Sequence, residues 1–217
     1  MRNARRGYTL IEMIVVMAIL ATLAGITIPI VLRSRLSANE RSATASLRLL
    51  VSSEFVWASQ DLDRNGKQDF WVLDVRGFHG VKAANNAPVA LVDPTVAMSD
   101  RSPAVTYAAP VNKTAPKNGY YLRAMTRDET GAAYVDRALP TAKAAPVAGR
   151  NATNLRRFGF SAYPAVYNTD GVMCFMVGED GIVWQLDSKS GPHLDRSVAA
   201  PPGKNKAPNG PWWQVGS

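Results

Sequence analysis

The chain has 217 residues, a formal net charge of +8 and a single cysteine. One cysteine excludes an internal disulfide, and the two histidines, His79 and His193, have no metal-ligand spacing with Cys174 or with each other. The mild basic excess lacks a Lys/Arg cluster interleaved with exposed aromatics, so it reads as a solvated surface rather than a nucleic-acid groove.

The N-terminus opens with a short basic stretch, Arg2, Arg5 and Arg6, ending at Gly7. Residues 8–32 follow without a Lys, Arg or Asp and with one acid, Glu12. About 20 apolar residues suffice to cross a bilayer as a helix. The run is too long for the apolar core of a secretory signal peptide, and no A-x-A site lies near its end. Arg33, Arg35 and Arg41 after the span balance the arginines before it, so charge alone does not orient it. An ionised carboxylate inside an apolar span is costly unless paired, so Glu12 calls for a partner.

The series Gly7-Tyr8-Thr9-Leu10-Ile11-Glu12 resembles the prepilin processing site of type IV pilins and type II secretion pseudopilins. Tyr8 stands where that family more commonly has Phe, and the resemblance covers about residues 5–32. It implies that a membrane prepilin peptidase cuts between Gly7 and Tyr8 and methylates the new amine of Tyr8. It also implies an N-terminus that starts on the cytoplasmic side, an inner-membrane assembly platform, and partners that are further copies of the chain or other pilin-like subunits. In that family's mechanism Glu12 meets the amine of a neighbouring subunit shifted along a filament. Pairing relieves two charges that are expensive in lipid, and the bundled helices shield their apolar faces from water.

Beyond the span, Leu36, Leu47, Val51, Phe55 and Ala58 keep helical spacing, with Arg33, Glu40, Arg41, Arg48 and Glu54 between them. The pattern predicts one helix ending near Ser59–Gln60, about 50 residues and roughly 75 Å long at 1.5 Å rise per residue. Pro29 removes one hydrogen bond and favours a kink.

Next come Asp61, Asp63, Asn65, Gly66, Lys67 and Asp69, in the order D-x-D-x-N-G-x-x-D. Side-chain oxygens at loop positions 1, 3, 5 and 9, a carbonyl at 7 and Gly at 6 make the opening of a calcium loop. The twelfth position is Val72 instead of the bidentate Glu, and Asp74 lies two residues further on as a substitute. The other interpretation is an Asx-rich turn that caps the long helix.

Residues 70–75 predict a short strand or packed loop. Residues 81–116, rich in Ala, Pro, Asn and Ser, predict a surface excursion with a short helix near 91–98. Strands are predicted at 119–125 and 158–163, and 172–177 and 182–186 flank Gly178-Glu179-Asp180-Gly181 as a hairpin. Residues 141–149 read as a loop. Gly119-Tyr120 and Ala162-Tyr163-Pro164 also resemble, more loosely, segments of pilin-like proteins of environmental bacteria. Cys174 sits in an apolar strand and reads as a small buried hydrophobe. Trp212 and Trp213 lie near the end of a Pro/Gly/Lys-rich tail, where docking on the domain or on another subunit is favoured over a free end.

The fold class expected is α+β, a long N-terminal helix packed on a small antiparallel sheet. The organisation is a leader at 1–7, a membrane and filament-core helix at 8–32, its amphipathic continuation at 33–60, a head domain at 61–196 and a tail at 197–217. No nucleophile elbow or phosphate loop appears, so an enzyme is not expected. The function expected is a filament-forming subunit of a type II secretion pseudopilus or a pilus. The missing disulfide and the Asp-rich loop lean to the former, because many pilins close their C-terminal region with a disulfide and major pseudopilins often use calcium there. A competence pseudopilin and a membrane-tethered binding module that never polymerises are the alternatives.

Overall fold

The computed structural model describes residues 8–127, 132–187 and 212–215. Its dominant element is α1, Leu10–Gln60, a single helix that continues through Pro29. Thr9 caps its start in an extended conformation, and Asp61 ends it with a left-handed φ of 47°. Asp is one of the few residues that adopt this region without large strain, because its short polar side chain bonds locally.

The two halves of α1 live in different surroundings. Residues 8–32 are exposed along their whole length, and this is a stretch long and apolar enough to cross a membrane. Burial begins at Ala43 and recurs at Ser46, Leu47, Leu50, Ser53, Glu54 and Trp57. That is the three-four spacing of one helix face. The face is rotated from the stripe expected from sequence. Leu50, Glu54 and Trp57 lie in the core, while Phe55 is 52 % exposed. Two serines fit the stripe because their hydroxyls return to the preceding turn, Ser46 Oγ to the Ser42 carbonyl and Ser53 Oγ to that of Leu49, at 2.9 Å each. Fully burying Leu47, Leu50 and Trp57 contributes about 1.5–3 kcal/mol per large side chain.

This face packs on a five-stranded antiparallel sheet. Its strands are β2 (Tyr120–Ala124), β4 (Gly159–Pro164), β5 (Met173–Gly178), β6 (Val183–Asp187) and β7 (Trp213–Gln214), in the order β2-β4-β5-β6-β7. The β5–β6 hairpin closes with Val177 opposite Val183. Its turn is made by the Gly181 amide donating to the Gly178 carbonyl at 3.0 Å, with Gly181 at φ 70°, a conformation open to Gly without steric cost. β2 alternates as expected for a strand with one core face, burying Tyr120, Leu122 and Ala124. A separate two-stranded ladder joins β1 (Phe70–Trp71) to β3 (Thr153–Asn154).

The segment 81–116 is not the surface excursion its composition suggests. It holds α3 (Pro94–Met98), which follows the four-residue turn α2 (Gly77–Gly80). It also places Val81, Val92, Val96, Ala97, Tyr107 and Val111 in the core. Asp93 caps α3 by accepting from the Thr95 amide at 2.8 Å. The segment is held by two buried acids. Asp74 accepts from the Gly77 and Ala104 amides and the Tyr107 hydroxyl. Asp100 accepts from Val75, Arg76 and Ser102. Polar anchors of this kind leave no periodic apolar signal.

Where α1 leaves the exposed span it is fastened to the head by polar bonds. Glu40 Oε1 accepts from the Val172 and Met173 amides at 3.0 and 3.1 Å. Asn39 Nδ2 donates to the Asp170 carbonyl at 2.8 Å. Lys117 Nζ donates to Ser46 Oγ, and Asn118 Nδ2 to Ser42 Oγ.

Candidate assembly and cation-binding sites

At the N-terminal end, Gly7 lies outside the described residues. Tyr8 is 85 % exposed. Glu12 occupies the third position of the helix and completes a capping box with Thr9. Its Oε2 accepts from the Thr9 amide at 2.8 Å and from the Thr9 hydroxyl at 2.9 Å, while the Glu12 amide donates back to Thr9 Oγ1. Glu12 in the isolated subunit is therefore not orphaned. Its carboxylate satisfies N-terminal amides that α1 leaves unpaired. It remains exposed, so Oε1 is open to a further donor. The arrangement keeps the acid beside the amide that follows Tyr8.

At the other end of α1 the loop from Asp61 to Asp69 folds as a set of nested turns. Asp61 accepts from the Asn65 amide at 3.0 Å and from the Gly66 amide at 2.9 Å. Asp63 Oδ1 accepts from the Asn65 amide at 3.2 Å. Asn65 Oδ1 accepts from the Lys67 amide at 2.7 Å. Gly66 turns the chain with φ 87°. Asp69 Oδ2 takes the Asn65 amide group and the Thr153 hydroxyl, each at 2.9 Å. The loop is enclosed by the chain around it, since the Asp63 carbonyl accepts from the Lys143 and Ala144 amides.

Asp63 and Asp69 are buried, at 0 and 1 % exposure. Asp63 Oδ2 and Asp69 Oδ1 have no hydrogen-bond partner. Burial, followed by contact with the Asp61 carboxyl, pushes the Asp63 carboxyl up to about 7. Burial also raises Asp69. The charged groups that act on this pair are acids, Asp61 and Asp69 on Asp63 and Asp61 on Asp69. Among the described residues no three Asp, Glu, His or Cys side chains already stand together as a metal cage. Asn65 Nδ2 lies against Asp69 instead.

Asp74 is not the missing twelfth ligand. Both its oxygens are committed to Gly77, Ala104 and Tyr107. Val72, at the twelfth position, is buried and its amide donates to the Ala152 carbonyl, so the chain has already entered its packed course. An acid that sequence reasoning placed on the polar face lies in the core. Glu54 is 0 % exposed. Its Oε2 accepts from the Trp71 amide at 2.8 Å, and its Oε1 has no partner. Burial holds it well above the ordinary carboxylate range, with the Asp69 charge adding to the shift. The three-four spacing of Leu47, Leu50 and Trp57, which takes in position 54, was the available signal.

The remaining candidates are structural. Cys174 is buried in β5. His79 Nδ1 meets the Val92 carbonyl at 2.9 Å, and His193 lies outside the described residues. The tail end docks. β7 pairs with β6, Gln185 opposite Trp213, and the Val215 amide donates to the Val183 carbonyl at 2.9 Å. Trp212 and Val215 pack against the core.

A prepilin-type N-terminal motif on an apolar, exposed half-helix, continued into an α+β head, supports a type IV pilin-like protein. Residues 2–28 match the family described as prokaryotic N-terminal methylation motif. Residues 29–213 match a second family, and by that match the chain belongs to the family described as Protein of unknown function (DUF2950). No curated protein and no solved structure matches the chain.

Proposed function

We propose that this chain is a structural subunit of a type IV pilus-like filament, cleaved after Gly7, methylated on Tyr8 and assembled through its N-terminal helices. The observation that carries this is the pairing of a lone Glu12 with an unburied apolar face over residues 8–32. Such a face has two stable surroundings, lipid or other helices. Glu12 favours the second, because a neighbour's methylated amine supplies the cation a carboxylate needs away from water. The subunit waits in the inner membrane as a single-pass protein and moves from there into a periplasmic pseudopilus or a surface fibre. It acts by assembly and not by catalysis. Of the two systems, the type II secretion pseudopilus is favoured by the single cysteine, which leaves no disulfide to close the head.

The mass and N-terminus of the protein extracted from its own cells test the processing step. The expected start is N-methyl Tyr8. An intact Met1, or a start beyond residue 32, refutes it. Glu12→Ala tests assembly. Filaments are expected to disappear while the anchored, folded subunit persists, and a membrane-tethered binding module that never polymerises would be indifferent to the change.

A further inference from the structure

We propose that the loop from Asp61 to Asp69 is a calcium site that locks the end of α1 into the head. Its ligands are the side chains of Asp61, Asp63, Asn65 and Asp69 and the carbonyl of Lys67. The spacing of these residues is the oxygen pattern of a calcium loop. The observation that points to a ligand is separate from the spacing. Two carboxylate oxygens, Asp63 Oδ2 and Asp69 Oδ1, are sealed from water and have no donor. Buried polar groups are nearly always satisfied, and an orphaned carboxylate oxygen signals an absent ion or water. Here the missing partner is a cation, because the loop already gathers acids against one another. Asp63 contacts the Asp61 carboxyl and is acted on by Asp69.

An Asx turn alone does not explain this arrangement. Turn formation uses one oxygen of Asp63 and those of Asp61 and Asn65, all engaged by Asn65, Gly66 and Lys67 amides. It has no use for a second sealed oxygen on Asp63. Those same amide bonds leave a lone pair on each engaged oxygen, so an ion joins them without dismantling the turn. The Asn65 Nδ2 contacts to Asp69 and Thr153 have to yield, and the acids, which do not yet stand together, close on the ion. Calcium fits better than magnesium. It accepts six to eight oxygens in flexible geometry, whereas magnesium demands a near-ideal octahedron. Because Val72 replaces the bidentate acid, water fills the remaining places. Affinity then falls in the range of extracellular modules, about 10⁻⁴–10⁻³ M, which suits a head domain outside the cytoplasm.

The test uses the full chain in detergent, unassembled, so it is independent of the filament proposal. After EGTA treatment, calcium at about ten times the dissociation constant is expected to raise the thermal midpoint by roughly 3–6 °C. Calorimetry is expected to show one ion per chain. Asp63→Asn keeps the shape and removes the charge. It is expected to lose the calcium shift while its metal-free midpoint equals or exceeds that of the unsubstituted chain, because one acid of the cluster is gone. Asp69→Asn is expected to lose the shift as well. No calcium shift at about 10 mM, well above the ~10⁻³ M of weak modules, overturns the proposal. So does an equal shift with magnesium, or a full shift retained in Asp63→Asn.

Discussion

Replacing Glu54 by Gln separates a buried neutral acid from a buried charge. The side chain lies in α1 with no exposed surface, holds the Trp71 amide with one oxygen and leaves the other unpaired. Burial drives its proton affinity up. In the folded protein the carboxyl stays protonated at pH values where the unfolded chain has released its proton. The folded state therefore binds more protons above the ordinary value of 4.5. Stability is full below that value and is lost as pH rises toward the folded value. Each pH unit in that window removes about 1.4 kcal/mol for one proton. Gln keeps the acceptor for Trp71 and never ionises. At pH 4 to 5 the two proteins are expected to agree within about 1 kcal/mol, the scale of one net hydrogen bond. From pH 5 upward the Gln variant gains on the unsubstituted chain by about 1.4 kcal/mol per unit until the folded value is reached. Urea unfolding of the full chain in detergent, followed by tryptophan fluorescence at a series of pH values, measures the gap. The raised acids Asp63, Asp74 and Asp100 tilt both curves alike, while Asp69, whose charge acts on Glu54, belongs to the measured difference. A gap that does not change with pH, or a Gln variant losing more than about 2 kcal/mol at pH 8, refutes the account of Glu54 as a neutral core acid.

Two further substitutions probe how the helix and sheet are held. Trp57→Ala removes a fully buried ring tilted against Trp71 with centroids 4.6 Å apart and edge-on to Phe78 at 5.7 Å. It is expected to cost about 3–5 kcal/mol, read from the urea midpoint. Gly171→Ala places a Cβ into the Tyr120 hydroxyl, which donates to the Met173 carbonyl at 2.8 Å. It is expected to cost about 1–3 kcal/mol through overpacking. Tyr120→Phe in the same chain is expected to recover part of that loss. A Gly171→Ala chain as stable as the unsubstituted one would refute the clash.

The parts of this fold legible in the sequence are those with a local signal. The long helix announces itself by apolar length and by Asp61, Asn65 and Gly66, turn formers that stop it where α1 ends. The strands β2, β4, β5 and β6 carry apolar residues at strand spacing, and the hairpin has Gly at both ends of its turn. What the sequence hides depends on residues far apart in it. β3 has two residues and exists only by pairing across more than eighty positions with β1, which lies in the 70–75 segment expected as a short strand or packed loop. The core role of 81–116 rests on Asp74 and Asp100 gathering amides. The helix face differs from the apolar stripe because Phe55 is apolar yet half-exposed, its edge resting on Phe70 and Phe158. Glu54 looks polar yet is interior, since Trp71 supplies its donor. At the N-terminus the motif identified Glu12, but not that Thr9 already holds it.

The bonds from Asn39, Glu40, Ser42 and Ser46 to the head have a mechanical consequence. They span the two turns around Ala43, where burial of α1 begins, so the joint between shaft and head is stitched where packing starts. The bonds meet three parts of the head, at 117–118, at 170 and at 172–173. A pull along residues 8–32 is therefore shared among several strands and loops instead of peeling one of them. Torque about the shaft meets the same stitches, because they engage side chains spread over two helical turns. The helix works as a handle cast into the head, and whatever moves the shaft carries the folded domain with it as one load.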